Sequence, residues 1–226
     1  MCDYVSWDVI LPQRRTQMGA SRPKGSIRIL SKDKEAEYVS VPALVARSMA
    51  RKRKAGELAN VTKEDLFEAL RNCSISCAKT RIASLVARRD YSRQEVGMRL
   101  GNDGFEQDIV SEALLWAVDV SLVSDKRFAD SFVRAKISAG WGIGRIEREL
   151  QNRGVDAGVL EGWPHEYLDP DDEYDRALQI AMRKRAKEPN AYAKMVRFVV
   201  SRGFSYGIAT RVASQIVNKD DRNIWS

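Results

Sequence analysis

The sequence predicts a mainly α-helical fold made of tandem three-helix repeats, preceded by a small β-hairpin with helices. A pattern of apolar residues around a glycine recurs three times, and its glycines Gly104, Gly154 and Gly203 are 50 and 49 residues apart. Such a period is typical of an array of small units, each too small to bury its own apolar face. Within the units, apolar residues recur at spacings of three, four and seven, which indicates helices. We therefore expect an elongated, curved array that offers an extended binding surface.

The composition is that of a folded protein. The chain has 226 residues, of which 44% are hydrophobic, enough for a packed core. No apolar run approaches the roughly 20 residues of a membrane span, and the first ten residues lack the apolar segment of a secretory signal. The only cysteines, Cys2, Cys73 and Cys77, cannot all pair within the chain. We therefore expect a reducing, cytoplasmic location.

The net charge of +7 is unevenly distributed. Residues 1–72 contain 14 Lys and Arg against 9 Asp and Glu, whereas residues 73–160 contain 13 against 12 and residues 161–226 contain 11 against 10. A positive balance favours polyanionic partners such as nucleic acid or a nucleoprotein. The alternative is an ordinary basic protein.

The N-terminal part predicts a leader followed by a small module. Residues 1–25 contain two prolines and two glycines and are predicted to be a flexible, basic leader. Residues 26–30 and 37–41 alternate in polarity and predict a hairpin joined by the polar residues 32–35. Pro42 suits the start of a helix that ends at Gly56.

A second short helix is expected to close this module, which spans residues 26–72. It begins at the capping box Thr62-Lys63-Glu64-Asp65 and includes Leu66, Phe67 and Leu70.

Three repeats of three helices follow. Repeat 1, residues 73–122, has a second helix capped by Ser92, with Glu95 three residues later as in a capping box. Repeat 2, residues 123–163, ends in a short third helix capped by Asp156 that includes Val159 and Leu160. Repeat 3 and an acidic connector occupy residues 164–226. Repeat 3 is predicted to begin near Pro170. Its first helix is predicted to have the apolar stripe Leu178, Met182 and Ala186 and to end at Pro189.

The repeated glycines are interpreted as scaffold. A residue just past a helix end often adopts a left-handed backbone, which costs other residues about 1 kcal/mol or more. The apolar residue after each glycine (Phe105, Val155 and Phe204) is expected to fold back onto the helix that has just ended.

Four segments in order resemble the bacterial RecX family. Residues 124–134 resemble its D-x-x-F-A-x-x-F-V signature, and residues 140–155 continue the likeness with Gly140-Trp141-Gly142-Ile143-Gly144 and Arg153-Gly154-Val155. Residues 85–95 resemble its first repeat, and residues 202–206 its third. Residues 26–72 are similar to the N-terminal module of some members. The basic leader and the connector at residues 162–173 depart from the family.

The resemblance implies a modulator, and more specifically an inhibitor, of the RecA recombinase. Members of the family bind the RecA filament on DNA, lodge in its groove and dampen ATP hydrolysis and strand exchange. The resemblance thus implies a place in DNA repair, homologous recombination and the SOS response. It also implies a RecA filament as the partner, with DNA contacted weakly or through the filament. We expect a monomer.

The sequence does not favour an enzyme, and we expect no cofactor and no metal. His165 is alone in a loop, without a positioned catalytic partner. Cys73 and Cys77 could share a helix face but lack the further ligands of a zinc site. The glycine-rich residues 140–144 follow a helix rather than a strand, so we interpret them as an inter-helix turn and not as a phosphate-binding loop.

The candidate binding residues are cations and aromatic residues of the repeats. Tyr91 and Trp141 are at equivalent helix junctions, where a partly exposed ring is expected. The alternative is that the arginines only form weak surface ion pairs. The candidates are Arg88, Arg89, Tyr91, Arg93, Arg134, Lys136, Trp141, Arg145, Arg148, Arg153, Lys184, Arg197 and Arg202.

Two other functions stay open at the level of sequence. One is a stand-alone DNA-binding protein that uses its repeats as helix-turn-helix readers without RecA. The other is a scaffold for an unrelated protein.

Overall fold

A computed structural model describes residues 4–12, 23–30, 36–169, 172–184 and 190–223, with the side chains of 218–223 excepted. The chain divides into two compact units, Met1–Ser124 and Asp125–Ser226. Each unit is mainly helical, and within the described residues no strand follows residue 41, as the sequence predicts. None of the described helices combines the length and the apolar character needed to cross a membrane.

The first unit begins with a three-stranded antiparallel sheet. Its strands are β1 (Ser6–Ile10), β2 (Gly25–Leu30) and β3 (Ala36–Val41), with β2 in the centre. The predicted hairpin is present in β2 and β3, and its connection at residues 31–35 lies outside the described residues.

The prediction of a flexible leader over residues 1–25 is wrong for β1. This strand pairs with β2 along its whole length, and Trp7 lies opposite Ile29. The Trp7 ring is buried, and its Nε1–H donates to the carbonyl oxygen of Leu58 across 3.1 Å. Burial of this large ring and the strand pairing order a segment whose composition alone indicated a loop.

Among the described residues of the first unit, four helices follow the sheet. They are α1 (Ala43–Lys54), α2 (Lys63–Val86), α3 (Arg93–Asn102) and α4 (Gln107–Asp119). Pro42 is the N-cap residue of α1. The Thr62–Asp65 capping box is present at the start of α2, and the Ser92 hydroxyl accepts a hydrogen bond from the Glu95 backbone at the start of α3.

The predicted break between the N-terminal module and repeat 1 does not exist. Helix α2 is a single helix of 24 residues, and it crosses the expected boundary between residues 72 and 73 without interruption. Its sequence contains no glycine or proline that would end it. It packs against both α1 and α4, so the sheet, α1 and repeat 1 share one hydrophobic core.

The second unit contains the other two repeats. Repeat 2 consists of α5 (Asp125–Ser138), α6 (Ile143–Gln151) and a 3₁₀ helix at Ala157–Val159. Repeat 3 consists of α7 (Asp172–Met182), α8 (Ala191–Ser201) and α9 (Tyr206–Asn223).

Two details of these repeats differ from expectation. The third helix of repeat 2 is a single 3₁₀ turn that leaves Val159 exposed, although Leu160 is buried. In α7 the buried residues are Ala177 and Ala181, and Met182 is 62% exposed. Because these alanines are small, α8 and α9 can pack closely on α7. The prediction had instead placed the larger Leu178 and Met182 on the buried face. Ala186 and Pro189 lie outside the described residues.

The repeated glycines have the predicted backbone. Gly104, Gly154 and Gly203 have φ angles of +94°, +70° and +94°. The next residue, Phe105 or Val155, donates its backbone N–H to the carbonyl of Leu100 or Leu150 across 3.2 and 3.1 Å. The apolar residues that follow the three glycines are all buried. The glycines thus end helices and return the chain to the core.

Candidate partner-binding surface

Five side chains of repeat 2 form a line in which cations alternate with aromatic rings. We call them the cation–ring stripe, and in order they are Arg153, Phe132, Lys136, Trp141 and Arg145. The Arg153 Cζ and the Lys136 Nζ lie 4.9 and 5.2 Å from the Phe132 ring centroid. The Lys136 Nζ and the Arg145 Cζ lie 4.7 and 3.8 Å from the Trp141 centroid. Since each such contact is worth about 0.5–2 kcal/mol, the rings hold these long side chains in place.

Local sequence rules build the stripe. Phe132 and Lys136 are four residues apart on α5 and therefore share a face. Gly140 follows α5 with a φ of +75° and turns the chain, so that Trp141 meets Phe132 edge-on with centroids 6.5 Å apart. Arg145 lies in the first turn of α6.

Backbone contacts with repeat 3 fix the turn that holds Trp141. The Gly142 N–H donates to the Arg202 carbonyl across 2.8 Å, and the Gly144 N–H donates to the Gly203 carbonyl across 3.2 Å. A Cβ atom on Gly142 would lie 2.5 Å from the carbonyl carbon and oxygen of Gly203. The glycine-rich segment is thus an inter-helix turn, as predicted, and it also permits a close approach of two backbones.

A half-buried arginine supports the same turn. The Arg176 Nη2 donates to the Trp141 carbonyl oxygen across 2.6 Å. Burial lowers the pKa of Arg176, against the opposing effect of Glu173 and Asp172. Its Nη1 is buried and finds no hydrogen-bond partner among the described residues. Sequence reasoning missed Arg176, because nothing local distinguishes it from a surface arginine of an amphipathic helix.

One carboxylate lies among the cations of the stripe. The Arg153 Nη1 donates to Glu149 Oε2 across 2.5 Å. This hydrogen bond is the main cause that holds the pKa of Glu149 below its ordinary value, and the charges of Arg145 and Lys136 add to it. Three cations and one carboxylate leave a local surplus of positive charge.

A second cluster of cations surrounds Phe198 in repeat 3. The Lys184 Nζ and the Arg202 Cζ lie 4.2 and 5.1 Å from its ring centroid. We call these three residues the Phe198 cluster. It lines a cavity of about 330 Å³ together with Ala139, Ile180 and Arg183. The Arg145 Nη1 donates to the Ser201 carbonyl across 3.4 Å, which brings the stripe next to this cluster.

The structure thus brings six of the predicted residues together: Lys136, Trp141, Arg145, Arg153, Lys184 and Arg202. Three other candidates of the second unit do not join them. Arg134 forms an ion pair with Asp130 at 3.0 Å and lies 5.0 Å from the Tyr167 ring. Arg148 and Arg197 are exposed, and neither contacts a ring within the described part of the chain.

The candidates of the first unit are arranged around a buried ring. Tyr91 is only 8% exposed, so the expectation of a partly exposed ring is wrong here, whereas Trp141 is half-buried as expected. The Arg89 and Arg99 Cζ atoms lie 3.7 and 4.8 Å from the Tyr91 centroid. Arg89 also forms an ion pair with Glu95. Arg88 and Arg93 are exposed.

Phe132, Phe198, Arg183 and Glu149 were not among the candidate binding residues selected from the sequence. The sequence does contain a signal for the rings of Phe132 and Phe198. Each of them precedes a cation by four residues on a helix or at its end, which predicts contact between the two side chains.

The described cysteines and the histidine lie apart from the stripe in the chain, at residues 73, 77 and 165. Cys73 and Cys77 share α2, and the Cys77 thiol lowers the pKa of Cys73 to about 6 through a hydrogen bond that raises its own pKa. His165 is exposed. Within the described residues, no three His, Cys, Asp or Glu side chains lie together as metal ligands would.

Fold and surface define a helical-repeat protein whose second repeat has half-buried cations packed against half-buried aromatic rings. Residues 124–161 match the model of the second three-helix domain of RecX. The "Regulatory protein RecX" of Vibrio vulnificus is 34% identical over 136 residues, which cover 58% of this chain and 87% of that protein. That of Chromohalobacter salexigens is 40% identical over 130 residues, covering 54% and 81%. The chain belongs to the RecX family of regulatory proteins.

The fold agrees with this assignment. A crystal structure of a regulatory protein RecX superposes with a TM-score of 0.58 over 94% of this chain and 99% of that one, at 16% identity. The tandem helical repeats predicted from the sequence are therefore confirmed.

Proposed function

We propose that this protein is a non-enzymatic modulator of the RecA recombinase, which binds the RecA–DNA filament in the cytoplasm and dampens ATP hydrolysis and strand exchange. The supporting observation is the cation–ring stripe. All five of its residues lie within residues 124–161, the segment that matches the RecX domain. The relatives are themselves named regulatory proteins.

The chemistry of the stripe suits an acidic or nucleoprotein partner. An arginine stacked on a ring keeps the N–H donors at the edge of its guanidinium available for carboxylate or phosphate oxygens. The stacking also restricts the side chain before binding, so less conformational entropy is lost when the partner docks. Glu149 pairs with Arg153 and offsets its charge. The net positive charge of the stripe therefore comes from Lys136 and Arg145.

A DNA-binding protein that acts without RecA is the second candidate. The Phe198 cluster favours it, because Lys184, Arg202 and the neighbouring Arg183 place three cations around one cavity, without a carboxylate among its lining residues. Phosphates of a nucleic acid would be attracted there, with strong dependence on salt.

The test is ATP turnover by RecA on single-stranded DNA, with increasing amounts of the purified protein. We expect inhibition by the unchanged chain. We expect at least about five-fold more protein to be needed for the same inhibition when it carries Arg145→Ala or Lys136→Ala. This corresponds to a loss of roughly 1 kcal/mol of binding free energy. Lys126→Ala is the matched control, since Lys126 is an exposed cation of the same repeat that pairs with Glu161.

Two results would contradict the proposal. One is unchanged ATP turnover at several-fold excess with no binding to filaments in co-sedimentation. The other is an equal loss in the Lys126→Ala control. Tight, sequence-dependent binding to naked duplex DNA would favour the second candidate instead, whereas weak, salt-sensitive and sequence-independent binding agrees with the first.

A further inference from the structure

A second cation-rich site lies in the first unit, between α1 and α2, and it differs in chemistry from the stripe. We call it the arginine pocket, and its volume is about 560 Å³, within the usual range for small-ligand sites. It is lined by Pro12, Pro23, Ala43, Leu44, Arg47, Ser48, Arg51, Ser76, Cys77, Thr80, Arg81 and Ser84.

Two arginines of the pocket are paired with no carboxylate of the described residues. None of its lining residues is acidic. Arg47 and Arg51 are one turn apart on α1, and within the described parts of the chain neither forms an ion pair with a carboxylate.

The third arginine is held in place. The Arg81 Nε donates to the Asp103 carboxylate across 2.7 Å, and the Arg81 side chain is only 18% exposed. Asp103 therefore fixes the Arg81 guanidinium and offsets its charge. Within the described residues, neither terminal nitrogen of Arg81 donates a hydrogen bond, so both can donate to a ligand. A positioned donor loses little entropy on binding a ligand.

The remaining polar lining also suits an oxyanion. The hydroxyls of Ser48, Ser76, Thr80 and Ser84 line the pocket. Ala43 and Leu44 are the first two residues of α1, and its N-cap residue Pro42 supplies no side-chain cap. That end of a helix has a partial positive charge and N–H groups without partners in the helix.

No aromatic residue lines the pocket, so it offers no ring for stacking on a base. The favoured ligand is therefore recognised by its charged oxygens. Several arginines and hydroxyls match a group with many oxygens and more than one charge better than a single carboxylate. We propose that the arginine pocket binds the phosphate group of a nucleotide, either free or at the end of a nucleic acid strand.

This inference is independent of the action on RecA, because the pocket shares no residue with the stripe. The experiment is isothermal titration of the full chain with sodium pyrophosphate at constant ionic strength. We expect saturable binding by the unchanged chain, and binding at least about ten-fold weaker in Arg47→Gln and Arg51→Gln. The matched control is Lys54→Gln, which removes an exposed charge from the same helix outside the pocket.

Two further arms identify the source of the phosphate. One uses ATP, and the other compares a short thymidine oligonucleotide with and without a 5′-phosphate. Preference for the phosphorylated oligonucleotide, lost in Arg47→Gln, assigns the pocket to strand ends. Tight binding of ATP with no such preference assigns it to free nucleotides.

Absence of saturable pyrophosphate binding would overturn the proposal, as would an equal loss in Lys54→Gln. The variant Arg145→Ala separates this proposal from the action on RecA. It is expected to bind pyrophosphate as the unchanged chain does.

Discussion

The backbone N–H of Gly144 donates to the carbonyl oxygen of Gly203 across 3.2 Å, which joins the inter-helix turns of repeats 2 and 3. The neighbouring Gly142 lies closer still, since a Cβ atom there would be 2.5 Å from the Gly203 carbonyl. The two glycines of this turn therefore differ in how well they tolerate a side chain.

We expect Gly142→Ala to reduce the free energy of unfolding by about 1–3 kcal/mol, because the added methyl group forces two backbones apart. Gly144→Ala is the matched control. Its Cβ atom would meet the Gly203 oxygen at 3.4 Å, and in α6 alanine is favoured over glycine by up to about 1 kcal/mol. The free energies of unfolding of both variants can be measured by urea unfolding monitored by circular dichroism. Equal effects of the two substitutions would show that the close approach is not required.

The buried ion pair between Arg81 and Asp103 is expected to stabilise the fold of the first unit. Asp103 is 6% exposed, so Asp103→Ala leaves a largely buried guanidinium without its partner and should cost about 3 kcal/mol of unfolding free energy. The control is Asp108→Ala, because Asp108 forms an exposed, 3.7 Å pair with Arg71 and should cost at most about 1 kcal/mol. Similar losses for the two variants in chemical denaturation would contradict this ranking.

Tyr91 is expected to act through stability rather than through direct contact with a partner. Its ring is buried between Arg89 and Arg99, so Tyr91→Ala should cost about 3 kcal/mol of unfolding free energy. Leu115→Ala removes an apolar side chain of the same repeat that is 59% exposed and should change that energy by less than about 0.5 kcal/mol. Thermal unfolding distinguishes them. A Tyr91→Ala variant of unchanged stability that fails to inhibit RecA would assign the ring to the binding surface after all.

The pairing of Glu149 with Arg153 makes a prediction about pH. Because the pKa of Glu149 is lower in the folded chain than its ordinary value of 4.5, the pair stabilises the fold fully above pH 4.5. The stabilisation is lost as the pH falls through the lowered pKa. A carbon-detected NMR titration of the Glu149 carboxyl should give a midpoint below 4.5, and Arg153→Ala should move that midpoint upwards. A midpoint that does not respond to Arg153→Ala would contradict the proposed cause.

Much of the scaffold could be predicted from the sequence because it follows local rules. The positive φ angles of Gly104, Gly154 and Gly203, and the capping box at Thr62, depend on the few residues around each helix end. The hairpin of β2 and β3 follows from alternation over short segments. The candidate surface was found in part, because Trp141 and its cations lie close together in the sequence.

Other features depend on contacts between residues far apart in the chain. Strand β1 is ordered by pairing with β2, and α2 continues through the expected boundary because α1 and α4 pack along it. The burial of Tyr91 and the support of the Trp141 turn by Arg176 likewise require neighbours that no local pattern specifies.

The amino-acid sequence by itself determined the repeat period, the glycine-marked and capped helix ends, and the family. These depend on backbone preferences and apolar spacing, which act over a few residues. Only the tertiary structure decided which cations meet which rings, which arginines are already paired with carboxylates, and that Arg47, Arg51 and Arg81 line one pocket. Such contacts depend on how the helices pack against one another. Helices with the same local patterns could also pack in other arrangements, which would bring other side chains into contact.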